Sequence, residues 1–181
     1  MATAVVILSP GFEEIEAVTI IDLLRRGGVD VTVAGLEKNL VMGSHGIAVK
    51  PDICYQEVDG LSYDVLILPG GQPGTNNMKS NPTLIQWIQQ RHQSGQLIAA
   101  ICAAPSVLRA AGITDQVKLT SYPSEAHLFR KEQYREDRVV VDGNIITSRG
   151  VGTAIDFSLT LLGLLVNDTA AKELSKRILY G

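Results

Sequence analysis

Three apolar runs set the strongest limit on what this chain can fold into: AVVILS (4–9), the core of YDVLILPGG (63–71) and LIAAI (97–101). None alternates polar with apolar residues. Each therefore predicts a strand covered on both faces, which is the mark of a parallel sheet. The segments between them have helical character. EEIEAVTIIDLLRRGG places Ile15, Val18, Ile21 and Leu24 at helical spacing, opens with acidic residues, closes with arginines and stops at Gly27-Gly28. These four apolar residues are read as its buried face. NPTLIQWIQQRHQSGQ (81–96) starts with an Asn cap and a Pro at the first helical position and ends at Gly95.

The remainder fits the same alternation. DVTVAGL (30–36) predicts a strand, and GIAVKPDICYQEV (46–58) one or two short peripheral strands interrupted by Pro51. SVLRAAG predicts a short helix, and TAIDFSLTLLGLLV (153–166) and TAAKELSKRIL (169–179) two longer ones. VKLTSYP (117–123), RVVVDG (138–143) and NIITSRG (144–150) read as strands, the last two joined by a hairpin turn at Asp142-Gly143-Asn144. The expected fold is one domain over 1–181: a flavodoxin-like or Rossmann-like α/β parallel-sheet sandwich, helices on both faces, with a small antiparallel hairpin added.

Composition excludes several functions. A net charge of −3, with Lys and Arg scattered, gives no electrostatic case for nucleic acid or an anionic membrane surface. The longest apolar run, LTLLGLLV, is far short of the ~20 residues of a membrane span. Two cysteines make neither a disulfide framework nor a cysteine zinc site. The N-terminus MATAVVILSPGFEE lacks a basic region and turns acidic early, unlike a signal peptide. The expectation is a cytoplasmic protein in a reducing compartment, without metal or organic cofactor.

In sheets of this kind, ligands bind beyond the carboxyl ends of the strands. Three strand exits therefore carry the candidate chemistry: PGFEEIE, PGGQPG and CAAP. In PGGQPGTNN, Gly70 and Gly71 fit either a tight turn needing positive φ or an oxyanion hole in which a backbone N–H closely approaches a ligand. Cys102 stands where LIAAI passes into a helix. Such a turn exposes its central side chain at the sheet edge, and helix N–H groups would favour a thiolate, lowering the pKa from ~8.5 by one to several units. The alternative is a buried inert thiol.

Glu13 and Glu14 are explained by the dipole of the helix they open. Glu16 lies one position off the expected buried face, either solvated or reaching Cys102. A carboxylate there would repel a thiolate, whereas a protonated carboxyl would donate to it, so the two would titrate as one unit. Among the histidines, His92 suits a helix end, His45 lies in the loop MGSHG, and His127 follows TSYPSEA as a candidate for lining the pocket. None is adjacent to Cys102 in sequence, so no Cys–His dyad is visible.

Taken together and in this order, PGFEEIEAV, YDVLILPGG, LIAAICAAP, LTSYP and ITSRGVGTAIDF resemble the ThiJ/PfpI superfamily, in the branch of the Parkinson-disease-associated deglycase and bacterial YajL. The resemblance spans essentially the whole chain. It implies a flavodoxin-like homodimer in which Cys102 is the reactive cysteine and Glu16 bonds to it. It implies that the amides of Gly71 and Ala103 line an anion pocket, and that Arg26 approaches the partner's pocket across the dimer. The implied activities are glutathione-independent glyoxalase action and deglycation on methylglyoxal or glyoxal and their adducts with amines and thiols. The branch is also credited with oxidation sensing through a cysteine sulfinate and with holdase chaperone action.

The chain departs from the pattern in places. Ala103 follows the cysteine where the protease branch has histidine, which argues against proteolysis. Tyr122 stands where the human-type branch has a histidine, removing a proton shuttle. His45 replaces a human-type arginine, and Val151 a proline.

Overall fold

The computed structural model describes residues 1–181. In chain order, β1 (Thr3–Leu8) leads into α1 (Glu14–Arg26) and β2 (Asp30–Gly35). The short strands β3 (Val41–Met42), β4 (Ala48–Val49) and β5 (Ile53–Cys54) follow. Next come β6 (Val65–Leu68), α2 (Gln72–Lys79), α3 (Pro82–Ser94), β7 (Leu97–Ile101) and α4 (Pro105–Ala110). The chain ends with β8 (Val139–Asp142), β9 (Ile145–Ser148), α5 (Ala154–Leu165) and α6 (Asp168–Arg177).

Seven strands form one sheet in the order β5-β2-β1-β6-β7-β9-β8. Every pairing is parallel except β8 with β9, where Asp142 faces Ile145 across a turn with Gly143 at φ 58. The expected α/β sandwich is therefore the one formed. The apolar strands are buried on both sides, as their unbroken hydrophobicity predicts, and the two-residue strand period splits their side chains between two cores. Val6, Leu8, Ile67, Ala99 and Ile101 join Ile20, Leu24, Phe157 and Leu161 on the face of α1 and α5. Val5, Ile7, Leu66, Leu68, Ile98 and Ala100 join Met78, Leu84, Ile88 and Val107 on the face of α2, α3 and α4.

Asn81 caps α3 by accepting the N–H of Leu84 at 3.1 Å, and Gly95 ends it in the left-handed region at φ 73. The chain turns outward in opposite directions from β1 (toward β2) and β6 (toward β7), so a crevice opens between their carboxyl ends.

Four expectations change. PGGQPGTNN is not only a turn: Gln72 to Lys79 are helical, with Pro73 in the first turn. VKLTSYP makes no strand. It contributes an isolated bridge of Leu119 with Tyr134, and Thr120 N–H bonds to the Thr147 side chain instead of a ladder. The hairpin is not an appendage, because β9 pairs parallel to β7 inside the main sheet and only β8 is antiparallel. A separate antiparallel pair, β3 with β4, lies outside that sheet.

The buried face of α1 is the fourth. Its core residues are Ala17, Ile20, Leu23 and Leu24, whereas Ile15 and Val18 are 55% and 47% exposed. Burial falls instead on Glu14 and Glu16, because backbone N–H groups are available to hold both carboxylates.

Candidate active site

The three strand exits converge. Glu13 N–H donates to Gly70 O at 2.9 Å, joining the loop after β1 to the loop after β6. Gly71 sits between them at φ 93, and a Cβ there would collide with Gly11 O and Glu13 N. Both the tight turn and the close backbone approach expected of the glycine pair are thus present.

Cys102 follows β7 with φ 64, a left-handed conformation rare for a residue with a side chain. Two backbone hydrogen bonds hold it there: Cys102 N–H to Ser148 O at 3.0 Å and Tyr122 N–H to Cys102 O at 2.7 Å. The strain costs about 1–2 kcal/mol and turns the thiol into the crevice.

Glu16 is completely buried. Its Oε2 accepts the N–H of Gly70 at 2.9 Å, while its Oε1 has no nitrogen or oxygen partner. The Cys102 sulfur is the polar atom beside Oε1: a Cβ built on Gly150 would lie 3.9 Å from each. Burial pushes the Glu16 carboxyl up to about 7, against the pull of the Cys102 thiol and the Gly70 N–H. Burial, then the charge of Glu16 and its hydrogen bond, push the thiol up to about 12, while the N–H groups of Gly71 and Ala103 pull it down.

The expected low-pKa thiolate therefore needs correction. The helix behind Cys102 is only six residues long, and burial together with a Glu16 carboxylate outweighs the amides. Two of the three upward causes on the sulfur come from Glu16, and its charge repulsion vanishes when Glu16 is protonated. The pair titrates as one unit, with Glu16 governing the charge on sulfur.

A cavity of about 690 Å³ opens over the sulfur, walled by Gly71, Cys102, Ala103, Tyr122, Arg149 and Gly150. Gly71, Ala103 and Tyr122 are where the sequence expected them. Gly70 is not part of the wall, because its N–H is committed to Glu16. His45, His127 and Arg26 also lie off this wall. His127 Nδ1 meets Ser124 O at 2.7 Å, and Arg26 pairs with Asp22 at 2.6 Å on the outer side of α1.

His45 and Ser44 instead bind the acidic start of α1. Burial opposes the charge of Glu14, but the N–H groups of His45 and Ile47 and the His45 ring hold its carboxyl down at about 2. Glu14, 4% exposed, thus fastens the β3–β4 loop and is more than a complement to the helix dipole. Glu13, Glu14 and His45 bring one ligand atom each within 4.8 Å of one another, but hydrogen bonds within the cluster already use the Glu14 oxygens. Arg149 and Ser44 were missed. The signal for Arg149 was its place directly after a strand of the parallel sheet, a fourth exit beside the three considered.

A thiol on a strand-to-helix turn of a flavodoxin-like sheet, with a buried carboxyl beneath it, defines a class of cysteine-centred α/β proteins. The comparisons identify the group within that class: a model of the DJ-1/PfpI family matches residues 2–164, and the chain belongs to this family. Protein dj-1beta of Drosophila melanogaster is 42% identical over 180 residues, covering 98% of this chain and 96% of that protein. Glutathione-independent glyoxalase DJR-1.2 of Caenorhabditis elegans is 34% identical over 176 residues, covering 96% and 94%. The solved structure of oxidized Toxoplasma gondii DJ-1 superposes with a TM-score of 0.96 at 37% identity, covering all of both chains. In this chain no helix is long and apolar enough to cross a membrane.

Proposed function

We propose that this protein is a cysteine-dependent glyoxalase and deglycase acting on methylglyoxal, glyoxal and their early adducts. The observation that carries the reading is the unpartnered, buried Glu16 Oε1 beside the Cys102 sulfur. A carboxyl group with a pKa near neutrality is suited to give and take protons at working pH. The name of the Caenorhabditis elegans relative points the same way.

In this reading the Cys102 sulfur adds to the aldehyde carbon and the thiol proton passes through Glu16 to the carbonyl oxygen, giving a hemithioacetal. The N–H groups of Gly71 and Ala103 stabilise the oxygen as charge develops on it. The Glu16 carboxylate then takes the proton from that carbon and returns it to the neighbouring carbonyl carbon. The product is a lactoyl or glycoloyl thioester, with no net oxidation. Water cleaves it to lactate or glycolate and regenerates the thiol. An adduct enters the same sequence when the sulfur displaces the amine or thiol, which leaves with a proton.

Cys102→Ser and Glu16→Ala should each abolish lactate release from methylglyoxal. Full turnover by either variant rejects the mechanism.

A second reading uses the same sulfur as an oxidation sensor and a redox-regulated holdase, and the oxidized state of the Toxoplasma gondii relative favours it. Two peroxide molecules convert the thiol to a sulfinic acid and release two waters. A gain of two oxygens confined to Cys102 after mild peroxide, and loss of aggregation suppression in Cys102→Ala, would support it.

A homodimer belongs to the proposal. The exposed Ile15 and Val18 on α1 and the 41% exposed Val151 give it an apolar surface. Residues 1–181 are taken as one domain, which the family match over 2–164 supports. A cytoplasmic site of action fits two free cysteines.

A further inference from the structure

Arg149 follows β9 directly, is half-buried, and is the only lysine or arginine on the wall of the Cys102 cavity. Its Nη1 donates to Glu136 O at 3.0 Å, which fixes one edge of the guanidinium. The ion pairs of the fold all involve other residues, so no carboxylate neutralises it. Its chain neighbour Gly150 approaches the sulfur, with a Cβ position 3.9 Å from Sγ. The acidic group on the cavity wall, Glu13, has its own cation, because His45 Nδ1 stands 3.5 Å away. A planar cation with donors to spare thus faces a cavity whose reactive atom lies one residue further along the wall. The guanidinium fork matches a carboxylate in both geometry and charge.

We infer that Arg149 binds a carboxylate carried by the compound whose carbon Cys102 attacks, so that the site favours α-oxo acids over neutral aldehydes. The substrate class rests on the carbonyl chemistry proposed above, whereas the anion-binding role of Arg149 does not.

The test separates the two. Iodoacetate and iodoacetamide alkylate a thiol by the same displacement and differ in the carboxylate. Their rates at Cys102 are read on the full-length protein by peptide mass spectrometry, with N-acetylcysteine as the unassisted thiol. The iodoacetate-to-iodoacetamide ratio should exceed that of N-acetylcysteine by about tenfold or more. It should fall to the free-thiol ratio in R149Q, recover in part in R149K, and decline with ionic strength. A ratio equal in wild type and R149Q overturns the inference.

In parallel, the kcat/KM of glyoxylate relative to methylglyoxal should fall about tenfold in R149Q. If the alkylation ratio shifts while neither compound is turned over, the catalytic reading fails and the anion site stands. If both are turned over and R149Q changes neither ratio, the anion site fails and the catalytic reading stands. If alkylation responds and the turnover ratio does not, the substrate preference is rejected.

Discussion

Glu16 accepts the N–H of Gly70 through one oxygen and presents the other, unpartnered, to the sulfur of Cys102. Fifty-four residues separate the carboxyl group from the amide that fixes it. The glycine is required at position 70, since a Cβ there would collide with both Cys102 Cβ and Glu16 Oε2. Loop, helix and strand exit are therefore mutually dependent, and the charge on sulfur is set by the protonation of Glu16.

Glu16→Gln removes the charge that opposes a Cys102 thiolate while nearly preserving the side-chain shape. The midpoint of Cys102 alkylation by iodoacetamide should move to lower pH than in wild type, where the thiol is pushed up to about 12. An unmoved midpoint would show that burial alone controls the sulfur. The same variant should be inactive as a glyoxalase, because an amide cannot carry the proton.

The two buried carboxylates of α1 should give opposite pH dependences of stability. The folded-state pKa of Glu16 is raised from 4.5 to about 7, so the folded protein keeps a proton that the unfolded chain gives up. Stability from this group is present below about pH 4.5 and is lost as the pH rises to 7, on the order of 3 kcal/mol. Glu14 is lowered to about 2, so its contribution is present above pH 4.5 and is lost as the pH falls toward 2. Urea unfolding across this range should show Glu16→Gln flattening the neutral-side loss and Glu14→Gln flattening the acid-side loss. Wild-type slopes in both variants would refute the assignment.

The strands and the position of Cys102 were legible because unbroken apolar runs and a cysteine at a strand exit are local signals. The burial of Glu16 was not. Ile15 and Val18 made the apolar face of α1 seem to include them, and hydropathy alone cannot separate a face that meets the core from one that meets solvent or a partner. Deciding needs the Gly70 N–H, which only the folded chain brings to Glu16. VKLTSYP misled through strand-like composition, although its backbone finds partners in the 133–135 loop and the Thr147 side chain. Arg149 was passed over because its strand was assigned to a peripheral hairpin. Once β9 is parallel to β7, its exit falls on the same edge as Cys102.

Val18→Asp tests the proposed dimer face. Val18 is 47% exposed and Ile15, three residues earlier on the same helix, 55%. Sedimentation equilibrium should show a dimer for wild type and a monomer for the variant, with little change in unfolding of the single chain, because an exposed aspartate removes no core contact. A wild-type monomer, or a dimer unaffected by the charge, would place the interface elsewhere or nowhere.

Arg91 is fully buried and has no ionised partner within 4.0 Å, yet it keeps its charge because carbonyl oxygens surround it. Nε and Nη2 donate to Leu97 O at 3.1 and 2.9 Å, Nη1 to Gly60 O at 2.8 Å and Nη2 to Asp64 O at 2.9 Å. Burial lowers its pKa to about 10, still well above neutrality. These bonds tie α3 to the start of β7 and to the loop before β6, the two strands whose far ends carry Cys102 and Gly70-Gly71. Arg91→Met keeps most of the apolar volume but leaves three carbonyls in the interior without their donor. At about 1–3 kcal/mol for each unsatisfied group, the loss should be several kcal/mol, read from the urea midpoint. Because the clamp lies at the opposite end of the strands, the surviving folded fraction should keep the wild-type Cys102 alkylation profile. A shifted profile would mean that the strand starts are mechanically coupled to the site.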